Sequence, residues 1–323
     1  MITPARPLVS CAALLGDLAR PDVPLGPLTT YRVGGAAALF TTIESEDDLL
    51  RVRDAVSASG VPVLVVGKGS NLLVSDAGFP GLAVVLGESF ANITCDRVRG
   101  AGAPGDESTT VRAGGAAALP VVARRSAAAS LRGFEWAVGV PGSIGGAVRM
   151  NAGGHGSDMA ASLTRVRVVD LHGGHDGWVA ATDLELGYRR SRLGSTDVVV
   201  EAELALSGGD RAISEAAIAD IVRWRRENQP GGQNAGSVFT NPQHISSGQL
   251  IDEVGAKGLR VGTAQVSPKH ANFIIADPDG RADDVWELMR QVRRLVAERQ
   301  GVDLEIETRL VGFPADTRSE VEG

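Results

Sequence analysis

The chain has 323 residues and a formal net charge of −7 at pH 7. That length suits about two or three domains of ~100–200 residues with sizeable cores, and the acidity argues against a general nucleic-acid or membrane-surface binder. Cys11 and Cys95 make neither a metal-type spacing nor a disulfide framework, which fits a reducing cytoplasm, and no apolar run approaches the ~18 residues of a membrane span.

Residues 1–25 are rich in proline and alanine and predict an N-terminal tail, with order beginning near Leu28. Leu8-Val9-Ser10-Cys11 has the outline of a lipoprotein cleavage site, but no apolar stretch of ~7–15 residues precedes it. The apolar run 36–43 predicts a strand. Ser45 then caps a helix with Glu46, Asp47 and Asp48 in its first turn, where carboxylates are favoured. Leu49, Val52 and Val56 share one face of that helix and Gly60 stops it. Residues 63–66 predict a second strand, and Gly67-Lys68-Gly69-Ser70-Asn71 lies at its carboxyl end, where α/β layers place ligands.

Residues 82–86 predict another strand. The polar stretch 92–110, with Gly100-Ala101-Gly102-Ala103-Pro104-Gly105, predicts a hairpin loop. Val111-Arg112-Ala113-Gly114-Gly115 leads into a helix over 119–131 with Pro120 in its first turn, where a missing N–H costs no helical bond. Residues 139–156 follow, and seven of these eighteen are glycine. Each would cost about 1 kcal/mol relative to alanine in a helix interior, so the segment reads as tight turns around a short helix starting near Ser143. Its glycines serve either as a cradle for the pyrophosphate or ring edge of a large cofactor, or as close packing of backbone on backbone. The second glycine turn at 67–71 shifts the balance toward a ligand.

Strands are predicted at 166–169, 178–180 and 198–204. His172-Gly173-Gly174-His175, between two of them and without a third ligand nearby, reads as a hairpin loop rather than a metal pair. From Asp210 the composition changes, and a boundary is placed near Gly208-Gly209. Ser214 caps a helix to about Glu227 with Ile218, Ile221 and Val222 inward. A short strand at 238–239, a helix over 249–254, a strand at 272–276 and a turn at Asp277-Pro278-Asp279-Gly280 follow. A helix over 282–300 carries Val285, Leu288, Met289, Val292 and Leu295 on one face, Gly301 ends it, and 304–311 predicts a final strand. Residues 314–323 predict a polar tail.

Three further stretches carry chemistry. Gly187-Tyr188-Arg189-Arg190-Ser191 offers planar, permanently charged donors for a carboxylate, a phosphate or a developing enolate; on composition alone the solvated-loop reading is favoured, since exposed arginine is common. In Asn234-Ala235-Gly236-Ser237-Val238-Phe239 no nucleophile elbow surrounds Ser237, which is either a proton donor or a turn residue. In 304–310, alternation puts Leu304, Ile306, Thr308 and Leu310 on one face and Glu305, Glu307 and Arg309 on the other, which alone reads as a solvent-facing edge.

Taken together, Tyr31-Arg32-Val33-Gly34-Gly35, the turn at 67–71, the segment 139–156, Tyr188-Arg189, Asn234-Ala235-Gly236-Ser237 and 304–309 resemble the UDP-N-acetylenolpyruvoylglucosamine reductase family, flavoproteins of peptidoglycan precursor synthesis. The resemblance runs from about Thr29 to Phe313. It implies an α+β chain in which a vanillyl-alcohol-oxidase (PCMH-type) FAD-binding region of two α/β subdomains, about 26–88 and 89–208, precedes a C-terminal α+β substrate domain at 209–313. The tails 1–25 and 314–323 flank them. It further implies noncovalent FAD, NADPH as hydride donor, a UDP-sugar substrate, no metal, no nucleic acid, no membrane insertion and a cytoplasmic location; the sequence leaves the oligomeric state open, with a monomer favoured.

Carried over residue by residue, the resemblance makes Arg189, Ser237 and Glu307 catalytic. It assigns the cofactor to Tyr31, Arg32, Gly67, Lys68, Gly69, Ser70, Asn71, Gly115, Gly139, Pro141, Gly142, Ser143, Gly145, Gly146, Asn151, Ala152 and Gly153. It assigns the substrate to Tyr188, Asn234, Gly236, Lys269 and His270. Many members have lysine where this chain has Thr240, so the diphosphate contact passes to Lys257 or Lys269. Val266-Ser267-Pro268-Lys269-His270-Ala271-Asn272-Phe273 resembles the shorter subtype, which lacks an inserted substrate loop. Competing readings are a noncovalent FAD sugar or lactone oxidase of the same superfamily and a non-catalytic nucleotide-binding module. Cys11 and Cys95, outside any glycine turn, are poor covalent attachment points.

Overall fold

The longest strand, Asp197–Gly208, runs through the middle of an antiparallel sheet whose order is Asp176–Ala180, Leu163–Asp170, Asp197–Gly208, Ser108–Gly114, Ile93–Asp96, with Leu131–Arg132 joining the last two residues of the long strand. Val198, Val200, Ala202 and Leu204 are buried, as expected of a strand covered on both faces. The exception is Glu203, buried because Arg112 and Arg165 stand opposite it on the flanking strands. Arg165 Nε and Nη2 reach its two oxygens at 2.7 and 2.9 Å and Arg112 Nε lies 3.0 Å away. The hydrogen bonds from Arg165 hold its carboxyl below the usual carboxylate range. The helices Leu119–Ala128 and Ile144–Met150 contribute Leu119, Val122, Ile144 and Val148 to the core of this unit.

The structure, a computed structural model, describes residues 6–96 and 108–313. The glycine run 100–105, expected as a hairpin loop, and the expected tail 314–323 lie outside the described residues. Two compact units share the chain: residues 6–20, Phe40–Lys68 and Gly81–Arg225 form one, and Pro21–Leu39, Gly69–Pro80 and residues 226–313 the other. A four-stranded sheet has the order Arg20–Pro24, Ala36–Ile43, Phe79–Leu86, Val63–Val66. Val63–Val66 and Phe79–Leu86 run parallel, with Val63 opposite Leu82.

The predicted strand at 36–43 and the helix after it form as expected. Ser45 accepts a hydrogen bond from the Asp48 amide, and Gly60 ends the helix Glu46–Ser59 in the left-handed region at φ +64. The N-terminal residues depart from expectation. Arg6–Leu15 is a helix, packed on Glu46–Ser59, with Cys11 and Leu15 fully buried. Its two buried residues stand four apart on one face, and Arg51 ties down its end by donating to the Leu15 carbonyl and the Asp17 carboxylate. The helix expected to be capped by Ser214 starts earlier, spanning Arg211–Asn228: Asp210 accepts from the Ala212 amide at 2.7 Å, while Ser214 turns inward and donates to Glu135 at 2.6 Å. Val222, expected inward, is 43% exposed. This helix continues the first unit as far as Arg225, beyond the glycine pair at 208–209.

The second unit is organised by the helix Ala282–Gln300, which ends at Gly301 as expected and buries Val285, Leu288, Met289, Val292 and Val296. It packs on an antiparallel meander of Arg260–Val261, Ala264–Val266 and Ile274–Ala276. Tyr31, Val33 and Leu73 from the N-terminal segments belong to the same core. The expected strand 304–311 is divided. Only Arg309–Val311 forms a strand, parallel to Leu72–Val74, whereas Ile306 bridges to Phe239. Two pairing partners compete for one segment, and each takes part of it.

The first turn of Ala282–Gln300 has no cap of its own, since Arg281 at the N-cap makes no side-chain bond to it. Asp76 supplies one from 206 positions away: its two oxygens accept from the Ala282 and Asp283 amides at 3.0 and 3.3 Å. Asp76→Ala is expected to cost about 1 kcal/mol, read as a lower chemical-denaturation midpoint with unchanged slope.

Candidate active site

Ser143 is the N-cap of Ile144–Met150, its Oγ accepting from the Gly146 amide at 3.4 Å. A Cβ on Gly67 would lie 2.6 Å from that Oγ, so the two glycine turns of the sequence meet here across the Ser143 side chain. Behind this contact Gly115 is packed against the Val199 carbonyl, 1.9 Å from where its Cβ would be. The Gly115 carbonyl accepts from the Gly145 amide at 2.9 Å, and the Gly142 carbonyl accepts from Leu119 at 3.0 Å. Gly115, Gly142 and Gly145 thus pack backbone on backbone. Gly146 and Pro141 are exposed, and a Cβ on Gly146 would meet nothing closer than 3.7 Å. Gly139 abuts the His155 ring, which stands edge-on to Trp224 at 5.2 Å. Burial, with Arg225 second, lowers the His155 pKa.

In the second unit Gly69 has φ +59 and approaches Leu28 so closely that a Cβ would lie 2.0 Å from its carbonyl oxygen. Thr30 donates to the Gly69 carbonyl at 3.1 Å. The adjoining Tyr31 is fully buried, and its hydroxyl has no partner among the described residues; burial raises its pKa. A buried donor left unsatisfied is costly, which suits a hydroxyl completed by a ligand. Arg32 is exposed at φ +55, and Lys68 is exposed. Ser70 is half-buried. In the first unit, bare backbone and exposed Gly146, and in the second, the orphaned Tyr31 hydroxyl, each fit part of a large dinucleotide cofactor.

Tyr188 and Arg189 form the corner of a tight turn in which Gly187 and Arg190 exchange amide–carbonyl bonds at 3.0 and 3.2 Å. Arg189 sits at φ +56, a left-handed conformation that costs a non-glycine residue roughly 1–2 kcal/mol. Its guanidinium lies over the Tyr188 ring at 5.1 Å and Nη2 donates to the Gly153 carbonyl at 3.4 Å. Ser191 ties the turn to the Arg149 carbonyl at 2.7 Å. The Asn151 amide is engaged within the protein: Nδ2 donates to Asp158 and to the Gly187 carbonyl, and Oδ1 accepts from the Ala160 amide. Ala152 donates to the Ala147 carbonyl at 2.8 Å, and Gly153 is pressed against Asp158.

Ser237 follows Gly236, at φ +79, and precedes the fully buried Val238. Asn234 builds the turn before it, donating to the Gly231 and Gly232 carbonyls and accepting from the Gly236 amide. Asn272, absent from the expected site residues, pins the segment after it. Its carbonyl accepts from Val238 at 3.0 Å, and its side chain pairs with both backbone groups of Phe239 at 2.9 and 2.8 Å. An asparagine inside an apolar Ala-Asn-Phe run was the available signal. Glu307 donates its amide to the Val238 carbonyl at 2.7 Å, and its own carbonyl accepts from Asn71 Nδ2 at 3.0 Å. The structure therefore holds Glu307 beside the Ser237 segment, with Asn71 of the first glycine turn behind it, and Arg189 belongs to the other unit.

Lys257, Lys269 and His270 line a cleft of about 420 Å³ together with Ser246, Gly248 and Asp252. Lys257 pairs with Asp252 at 2.6 Å and Lys269 donates to the Arg226 carbonyl at 2.7 Å. Burial first, then the Lys257 charge, pushes the His270 pKa down, so its imidazole is neutral at pH 7. The neutral ring favours the folded chain above about pH 6.5, and that contribution is lost as the pH falls toward the folded value. In an NMR titration His270 should titrate below about 6.5, and Lys257→Met should raise its midpoint only part of the way, burial being the larger cause. An unmoved midpoint would remove Lys257 from its surroundings.

The family model for the C-terminal domain of UDP-N-acetylenolpyruvoylglucosamine reductase matches residues 228–311, and that for an FAD binding domain matches residues 37–175. The chain is 43% identical over 297 residues to the UDP-N-acetylenolpyruvoylglucosamine reductase of Acidiphilium cryptum, covering 91% of each chain. It is 39% identical over 303 residues to that of Heliobacterium modesticaldum, covering 93% of this chain and 92% of the other. Among solved structures, the reductase from Thermus caldophilus superposes with a TM-score of 0.76 at 35% identity, over 91% of this chain and 99% of that one.

Proposed function

Because the chain belongs to the UDP-N-acetylenolpyruvoylglucosamine reductase family, we propose that Arg189, Ser237 and Glu307 carry its reaction. The enzyme is an FAD-containing, NADPH-dependent oxidoreductase of peptidoglycan precursor synthesis, reducing the enolpyruvyl group of UDP-N-acetylglucosamine enolpyruvate to give UDP-N-acetylmuramate. Bound FAD supplies the hydride, which it receives from NADPH. Hydride arriving at the β-carbon leaves an electron pair on the α-carbon, delocalised into the adjoining carboxylate. Arg189 holds that carboxylate through its planar fork and neutralises the developing charge. Ser237 Oγ gives its proton to the α-carbon and regains one from solvent. Glu307 assists at the carboxylate through a hydrogen bond or a shared proton.

The observation that supports this assignment most directly is the bond from the Glu307 amide to Val238, which ties the glutamate segment to the residue after Ser237. We assign residues 26–208 to the cofactor, in subdomains of about 26–88 and 89–208, and 209–313 to the substrate. Tyr31, Arg32, the turn at 67–71, Gly115, Gly139, Pro141, Gly142, Ser143, Gly145, Gly146, Ala152 and Gly153 would hold FAD. Tyr188, Asn234, Gly236 and the cleft bearing Lys269 and His270 would hold the UDP-sugar, with Lys257 or Lys269 on the diphosphate. Among the described residues no helix is long and apolar enough to cross a membrane, and no disulfide involves Cys11 or Cys95. We place the enzyme in the cytoplasm, acting as a monomer on small molecules.

Purified protein should be yellow and should release FAD into the supernatant on denaturation; flavin retained in the precipitate would contradict noncovalent binding. Ser237→Ala should leave flavin reduction by NADPH near normal, because that step needs no proton from this residue. Reoxidation by the enolpyruvyl substrate should slow about 10²- to 10⁴-fold, the usual contribution of a positioned proton donor. Stopped-flow traces of the two half-reactions decide it, and equal slowing of both would make Ser237 a turn residue.

A further inference from the structure

Asn151 ends the helix Ile144–Met150 in the left-handed region at φ +40, a position where glycine serves as well as or better than asparagine. Capping therefore does not explain its side chain, and its bonds leave little for a cofactor. The residue is 3% exposed. An amide has two N–H donors, and here one goes to Asp158 Oδ2 at 3.1 Å and the other to the Gly187 carbonyl at 3.0 Å. The Ala160 N–H, which requires an acceptor, meets Oδ1 at 2.9 Å and so determines which way the amide points. Both donors are spent inside the protein.

The two groups they hold are the two supports of Arg189. Gly187 is the first residue of the arginine turn, and its carbonyl closes the turn by accepting from Arg190 as well. Asp158 pairs with Gly153 across the short hairpin, and the Gly153 carbonyl accepts from the Arg189 guanidinium. A left-handed arginine persists only where its surroundings over-determine it. One buried amide fastens both the backbone of the turn that carries Arg189 and the hairpin on which its guanidinium rests.

We propose that Asn151 is a positioning residue for Arg189, acting on the substrate carboxylate through the arginine turn and not as a ligand of the cofactor. The proposal rests on the reading of Arg189 given above. The test uses holoenzyme carrying Asn151→Gly, which keeps the left-handed cap and removes the amide, alone and combined with Arg189→Lys. A second variant, Asn151→Asp with Asp158→Asn, reverses the donor and acceptor of the 151–158 bond while leaving the Gly187 carbonyl without its donor.

The dissociation constant of the enolpyruvyl UDP-sugar, titrated calorimetrically on oxidised holoenzyme, should rise about tenfold in Asn151→Gly, as expected for the loss of a positioned hydrogen bond. On the Arg189→Lys background the same change should add less than about threefold, because the two residues act as one unit. FAD content per chain should stay near one in both. The exchanged pair should melt near the wild-type temperature and still bind substrate weakly, which separates positioning from stability even if Asn151→Gly folds poorly. FAD loss in step with the loss of substrate affinity would make Asn151 a cofactor residue and overturn the proposal. Equal losses on both backgrounds would overturn it by uncoupling Asn151 from Arg189. Near-normal binding and turnover in Arg189→Lys alone would overturn the role of Arg189 itself, and the proposal with it.

Discussion

The glycine turns proposed to hold the cofactor depend on close approaches that no added side chain could share. A Cβ on Gly67 would come within 2.6 Å of Ser143 Oγ, and one on Gly69 within 2.0 Å of the Leu28 carbonyl. These approaches bring together turns that lie far apart in the chain. The high glycine content of the composition is the visible trace of that requirement. Its glycines divide by role: Gly115 is excluded from any other identity by the Val199 carbonyl, whereas at Gly146 an added Cβ would meet only Ser143 Oγ, at an ordinary 3.7 Å.

A second constraint is the divided loyalty of the segment before Phe313. Its middle pairs with the Ser237 region, with Thr240 donating to the Glu305 carbonyl and Glu307 donating to Val238. Its end pairs with the strand after the first glycine turn, with Arg309 donating to the Asn71 carbonyl. A continuous strand would have paired with only one of these neighbours. By splitting, the segment ties the serine turn and Asn71 to the residue between them, Glu307.

Charge is handled locally. A chain of net charge −7 acts on an anionic UDP-sugar, and the cations proposed to meet it are kept oriented by the fold. Arg189 leans on a carbonyl and a tyrosine ring, Lys257 on Asp252, and Lys269 on a main-chain carbonyl. Such tethering reduces the side-chain freedom that would otherwise be lost on binding.

The sequence by itself determined the elements whose signals lie within a turn of one another: Ser45 and Gly60 around Glu46–Ser59, and the apolar stripe and Gly301 of Ala282–Gln300. It also determined the family, because its motifs are short local strings in a fixed order. The tertiary structure alone decided which distant groups would meet. It made a helix of Arg6–Leu15 by offering a buried surface for Cys11 and Leu15, a contact that proline- and alanine-rich composition does not reveal. It set Asp76 as the cap of a helix 206 positions away and divided 304–311 between two partners. It gave both Asn151 donors to Asp158 and Gly187, where the motif alone had suggested the cofactor. Caps and periodicity are satisfied by neighbours in the chain and can be read along it. A buried donor takes whichever acceptor the fold brings within about 3 Å, and that choice is made only when the chain closes on itself.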